Sequence, residues 1–169
     1  NVAIQKKEEL HFTTGSKKLT HPPVVVGFGP AGMFAGLVLA RLGYEPIILE
    51  RGGDVDSRVE AVENFWNKKQ FSTKTNVQFG EGGAGTFSDG KLNTLTKDKF
   101  NRCRYVFETF VSCGADKDIM ISNMPHIGTD VLRDVVRNIR NKIIDMGGEF
   151  RYNSCLTKIN IDGDKVRSI

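Results

Sequence analysis

The sequence predicts an α/β fold built on a parallel sheet, and three observations predict it. A β-branched run, Val24 to Val26, leads straight into glycines at 27, 29 and 32. An apolar helical stretch follows, and a second apolar strand then ends on an acid, Glu50. Further along, helical periodicity at residues 129–146 gives way to strand-like alternation near the end of the chain. Strand and helix patterns in that succession are the mark of a sheet with covering helices, and a continuous β-branched run reads as a buried parallel strand.

Each element has its own justification. Residues 1–21 are polar and mixed, and read as a linker or the end of a preceding region. Residues 22–169 form one domain. After the first strand, Gly27, Gly29 and Gly32 stand in GxGxxG spacing. Gly27 lets the chain turn sharply, Gly29 lets the backbone approach a pyrophosphate, and Gly32 lets the helix pack close to the strand. Pro30 suits the first helical turn, where its missing N–H would have no partner, and Gly43 suits the stop. Residues 31–42 are apolar on nearly every face, with Phe34, Leu37, Val38 and Leu42 among them, so this helix must be covered on both sides. The second strand, Pro46 to Leu49, ends at Glu50, where a carboxylate can accept both ribose hydroxyls of an adenosine and would repel a 2′-phosphate. Free N–H groups at the helix start would hold the pyrophosphate. Strand, glycine turn, helix, strand and acid in register point to a dinucleotide site. The alternative is a glycine turn that only tightens a βαβ unit.

The stretch "FGEGGAGTFSDGKLNT", residues 79–94, carries five of the 18 glycines. Gly85 to Lys91 fits a phosphate-cradling GxxxxGK[ST] loop except at its last position, where Leu92 lacks the hydroxyl that would hold Mg²⁺. No apolar strand precedes it and a poor helix start follows, so the sequence does not predict a P-loop. Elsewhere, "SRVEAVENFW" places Val59, Val62, Phe65 and Trp66 at helical spacing, and "FNRCRYVFETFV" repeats the pattern with Phe100, Cys103, Val106, Phe107 and Phe110. "TDVLRDVVRNIRNKIIDMGG" predicts the clearest amphipathic helix, capped by Thr129 or Asp130, stopped at Gly147, with Arg137 and Arg140 on the solvated face. Finally "EFRYNSCLTKINIDGDKVRSI" alternates like strands, with "DGD" as a hairpin turn.

Composition excludes several classes. With 39% hydrophobic and 26% charged residues in 169, the chain can bury one ordinary core. Its net charge of +4 is spread along the length without a run of five like charges, which predicts a solvated surface and no nucleic-acid partner. Cys103, Cys113 and Cys155 form no CxxC pair, so neither a disulfide framework nor a metal site is expected. No stretch reaches the length of an apolar membrane span, and no signal-like segment opens the chain, so no membrane partner and a reducing cytoplasm are expected. The three histidines are scattered, and His126, ahead of "IGTD", is expected to brace the next helix. No nucleophile and base stand together, so the catalytic residues stay unassigned.

The segment "VVVGFGPAGMFAGLVLARLGYEPIILERG" resembles the FAD-binding start of glutathione-reductase-like flavoproteins. With "NVQFGEGGAGTFSDGKLNT" and "PHIGTDVL" added, the chain from about Pro22 to Ile169 resembles more closely a prokaryotic family of uncharacterised FAD-dependent dehydrogenases. The resemblance implies a Rossmann-like FAD-binding βαβ domain with a parallel sheet and the start of an antiparallel β-meander. It implies FAD contacts at Gly27, Phe28, Gly29, Pro30, Ala31, Gly32, Glu50 and Arg51. The second glycine segment would lie along the ribityl and pyrophosphate portion of the flavin, giving Gly82, Gly83, Ala84, Gly85 and Thr86 as contacts; the alternative is a glycine-rich surface loop. Glycine suits such a task, because a flat ring can be approached closely only where no Cβ intervenes. Leu156 matches a position that contacts adenine through its backbone.

A flavin-dependent oxidoreductase acting on an unknown small-molecule substrate or electron partner is the function this implies, with NAD(P)H as a possible reductant. Alternatives are an NAD(H)-dependent dehydrogenase and a dinucleotide-sensing module without turnover. Glu81, Ser88, Asp89 and Lys91 are polar groups expected near the reacting end. Family members run longer, so the chain is expected to be a fragment of a two-domain flavoprotein.

Overall fold

A computed structural model describes residues 10–92, 97–122 and 124–169. Three strands, β1 (Val24–Val26), β2 (Ile47–Leu49) and β3 (Glu149–Arg151), form a parallel sheet in the order β1-β2-β3. Register pairs Val25 with Ile48 and Ile48 with Phe150, so these three side chains share one face. The remaining strand positions, Val24, Val26, Ile47 and Leu49 among them, point to the other. Helix α1 (Pro30–Arg41) links β1 to β2, and the route from β2 to β3 passes through α2 (Val55–Lys68), α3 (Arg102–Ser112) and α4 (Thr129–Asp145).

The core lies on the Ile48 face. Met33, Leu37 and Ala40 of α1 meet Val135, Val136, Ile139 and Ile143 of α4 over Ile48 and Phe28. Gly36 is the point of closest approach, since a Cβ there would already touch Ile143 and Ile48 at 3.4 and 3.5 Å. On its other flank α1 sets Phe34 against Tyr105 and Phe110 of α3, with ring centroids 6.0 and 5.8 Å apart. The all-round apolar helix is therefore covered on both sides, as its sequence requires. The sheet is not: Val24 and Val26 are 43% and 54% exposed. The β-branched run reads as buried on both faces in sequence, and among the described residues the helices cover only one.

Three local expectations change. Helix α2 buries Val55, Arg58 and Val62, while Phe65 and Trp66 are exposed, so its inward face is rotated from the one the apolar spacing marked. Its N-cap is Asp54, whose carboxylate accepts from the Ser57 N–H at 2.8 Å. The N-cap of helix α4 is Gly128, which offers no side chain, and Asp130 pairs instead with Arg133 one turn on. Cys103 is half-buried, and the cysteine in the core is Cys113. The turn at 162–164 is as expected: β4 (Asn160–Asp162) and β5 (Lys165–Ser168) pair antiparallel around Gly163, whose φ of +61° suits glycine.

Candidate dinucleotide site

The turn from β1 into α1 is built by its glycines. Gly27 has a φ of +88°. A Cβ on Gly32 would run into the Gly27 carbonyl oxygen, so the third residue of the helix must be glycine for the strand to bend this sharply. Gly29 is different. Its backbone is extended, and an added Cβ would meet only the Gly83 Cα at an ordinary 3.8 Å. The N–H groups of Gly29, Ala31 and Gly32 donate to nothing among the described residues, and Pro30 has no N–H. Three free donors at the positive end of a helix make an anion-binding surface.

Glu50 lies beneath this turn, 4% exposed. Its Oε2 accepts from the Phe28 N–H at 2.8 Å and its Oε1 from the Gly52 N–H at 2.9 Å. The carboxylate therefore ties the first glycine turn to the segment after β2. A carboxylate has about four acceptor positions, so each oxygen keeps a lone pair for a further donor. The Phe28 side chain is core, set edge-on to Phe150 at 4.8 Å, and only its backbone faces the turn.

The second glycine segment is laced onto the first. Gly82 donates its N–H to the Phe28 carbonyl at 2.8 Å, and Glu81 donates to the Gly53 carbonyl at 3.0 Å. A Cβ on Gly83 would stand 3.1 Å from the Gly29 Cα and 3.2 Å from Pro30 Cδ. Glycine is needed at 83 because backbone packs on backbone there. Gly82 and Thr86 are buried, while Ala84 and Gly85 are exposed at the front of a short 3₁₀ turn, Ala84–Phe87. Gly85 has nothing within 4 Å of an added Cβ.

What holds this irregular segment is Arg58, which sequence reasoning missed. Its fully buried guanidinium donates to the carbonyls of Asn76, Val77, Glu81 and Gly83 at 2.9, 2.7, 2.8 and 2.6 Å, and more weakly to Gly80. A long loop in a compact domain must pair its backbone carbonyls somewhere, and here one planar fork pairs five of them. Burial pulls the guanidinium down to about 10, against the opposing pull of Glu50 and Glu81. The available signal was an arginine spaced three and four residues from Val55 and Val62, ahead of a loop rich in Ser, Asn and Gly.

Glu81 is likewise structural in its contacts. It is fully buried; its Oε2 accepts from the Val55 N–H at 2.6 Å and from Arg140 at 2.7 Å, and its Oε1 from the Tyr152 hydroxyl at 2.9 Å. Burial pushes its carboxyl up, with Arg140 and the two hydrogen bonds pulling back. Tyr152 is pushed up by burial and by Glu81. Arg140, expected on the solvated face of α4, turns inward to this pair because Glu81 would otherwise be an unpaired buried charge. Arg137 does stay outside, bound to Asp56 and Asp134.

The other expected positions are dispersed. Arg51 is exposed and stacks its guanidinium 3.9 Å from the Phe79 ring centre. Leu156 is half-buried in a groove of about 410 Å³ against the open sheet face, beside Ile47 and Leu49. Lys91 pairs with Asp89 at 2.7 Å and its backbone bridges His126 antiparallel. Turns rather than a strand lead to it, in keeping with the rejection of a P-loop. Ser88 donates to the Gly85 carbonyl at 2.8 Å. Among the described residues no cluster of His, Cys, Asp or Glu could hold a metal ion, and no helix is long and apolar enough to cross a membrane.

No family profile matches the chain. A similar protein is an uncharacterised protein of Clostridium beijerinckii, 51% identical over 170 residues that cover all of this chain and 32% of the relative. The chain thus spans about a third of the length of the relative it matches.

Proposed function

We propose that this chain is the FAD-binding portion of a flavin-dependent oxidoreductase, a Rossmann-like domain of a larger flavoprotein. The observation that supports it most is the pairing of three free helix-start N–H groups with a second glycine segment packed directly on the same turn. Gly29 adds to the fit: no protein atom crowds its missing Cβ, so its glycine answers to something outside the protein's own packing. The N–H groups of Gly29, Ala31 and Gly32 would hold the pyrophosphate, and the lone pairs left on Glu50 would accept the adenosine ribose hydroxyls. Gly83, Ala84 and Gly85 would present a flat surface to the ribityl chain, and the Leu156 backbone would meet the adenine. The chemistry FAD supplies when bound is hydride or electron transfer, and these residues position it.

An NAD(H)-dependent dehydrogenase is the second reading, which the second glycine segment disfavours. A sensing module that binds a dinucleotide without turnover is the third. FAD and a small-molecule substrate are the partners in a reducing cytoplasm, with NAD(P)H as the candidate reductant. The test is the visible spectrum of the protein as its gene encodes it. Flavin absorbance that bleaches under a physiological reductant is the expected result. A colourless protein that binds NAD(H) would overturn the flavin reading, and bound flavin that no physiological donor reduces would favour the sensing module.

A further inference from the structure

A cavity of about 140 Å³ lies beside the second glycine segment, between α1, α3 and α4. Its walls are apolar: Met33 and Phe34 from α1, Phe110 from α3, and Leu132 and Val136 from α4. Thr86, Ser88 and Lys91 bring the polar groups, and among the described residues Lys91 is the only charged one in its lining. From these observations we infer that the cavity binds a small carboxylic acid carrying a single ring or a short branched chain.

Size and charge select that class. An apolar cavity of roughly 150 Å³ is filled by one benzene-sized ring, so the three fused rings of a flavin do not fit and the occupant is a separate molecule. The wall gives such a ring dispersion contacts on several sides. Lys91 is the one cationic residue of the described lining, and Asp89, which holds its ammonium at 2.7 Å, lies outside that lining. Both side chains of that pair are mostly exposed, at 65% and 63%, so the pair holds little free energy and a ligand carboxylate can take the place of Asp89 at small cost. Gly85 borders the same cavity with open space where its Cβ would be, which leaves the wall unobstructed beside the presumed flavin surface. The binding inferred here is independent of the flavin reading.

The test uses benzoate, cyclohexanecarboxylate and isovalerate, with benzyl alcohol as the neutral control. Each is titrated into the protein as its gene encodes it while the methyl resonances of Met33, Leu132 and Val136 are followed by NMR. At least one of the acids should shift these methyls saturably. Benzyl alcohol should bind at least tenfold more weakly, as should that acid to Lys91→Met, a surface change that leaves the core intact. Leu132→Trp should fill the cavity and abolish the response. No saturable shift from any of the three acids, shifts confined to other methyls, or equal affinity for the neutral control would overturn the inference. FAD is titrated in parallel into the protein as its gene encodes it. Acid binding without FAD binding would leave the cavity site standing and sink the flavin reading, whereas FAD binding without acid binding would do the reverse.

Discussion

At the scale of single residues, Glu50 and Glu81 carry the sharpest tests. Glu50 has two roles at once, holding its own backbone and offering spare lone pairs. Glu50→Ala leaves the Phe28 and Gly52 N–H groups unpaired, so the fold should lose about 1–3 kcal/mol in chemical denaturation, together with weaker flavin retention. Unchanged stability would show that the two amides find other partners. Glu50→Gln should fall between, because a carboxamide accepts at one end and turns an NH₂ toward an N–H at the other. For Glu81 the prediction concerns pH. Its folded pKa is raised above the ordinary 4.5 by burial, so the folded state holds the proton more tightly than the unfolded chain. Stability contributed by this group is therefore full below pH 4.5 and lost as pH rises through the folded value. The unfolding free energy of the parent minus that of Glu81→Gln should fall as pH rises above 4.5. A difference that grows with pH would mean that Arg140 and Tyr152 outweigh burial.

At the scale of elements, the two glycine segments look alike in sequence and differ in physical demand. Gly32→Ala puts a methyl group into the Gly27 carbonyl, and should destabilise by about 1–3 kcal/mol or more, read as a lower denaturation midpoint. Gly85→Ala meets nothing within 4 Å in ordinary backbone geometry, and should be neutral or stabilise by about 0.4–1 kcal/mol. Equal losses at both would show that the 3₁₀ turn is packed more tightly than described. Gly83→Val, attractive from sequence as a probe of the cofactor surface, confounds the two effects. It strains a φ of +70° and presses on Gly29 and Pro30, so lost flavin would not by itself locate the flavin. The close packing of Gly32 was legible in the turn spacing, but that of Gly83 on Gly29 was not, since it joins residues more than about fifty positions apart.

At the scale of the whole molecule, the sheet has helices on one face and a half-exposed valine pair on the other. Among the described residues strand β1 also has an open edge in the order β1-β2-β3. Both features invite pairing with another chain. The 169-residue chain should therefore self-associate with rising concentration in sedimentation. A strictly monomeric chain at high concentration would contradict this expectation.

By itself the sequence determined the βαβ unit, the turn glycines, the acid after β2 and the closing hairpin. Each depends on periodicity or on the backbone freedom of one residue within a short window, and both are written locally. Tertiary structure decided the rest. Arg58, spaced like a core residue on α2, became the clamp of a loop eighteen to twenty-five positions away, and Arg140 turned inward to meet Glu81. Glu50 was taken up by backbone amides from two separate turns. A buried charge takes its partners from whatever the fold brings within about 3 Å, and the cost of leaving it unpaired, not any local propensity, dictates those choices.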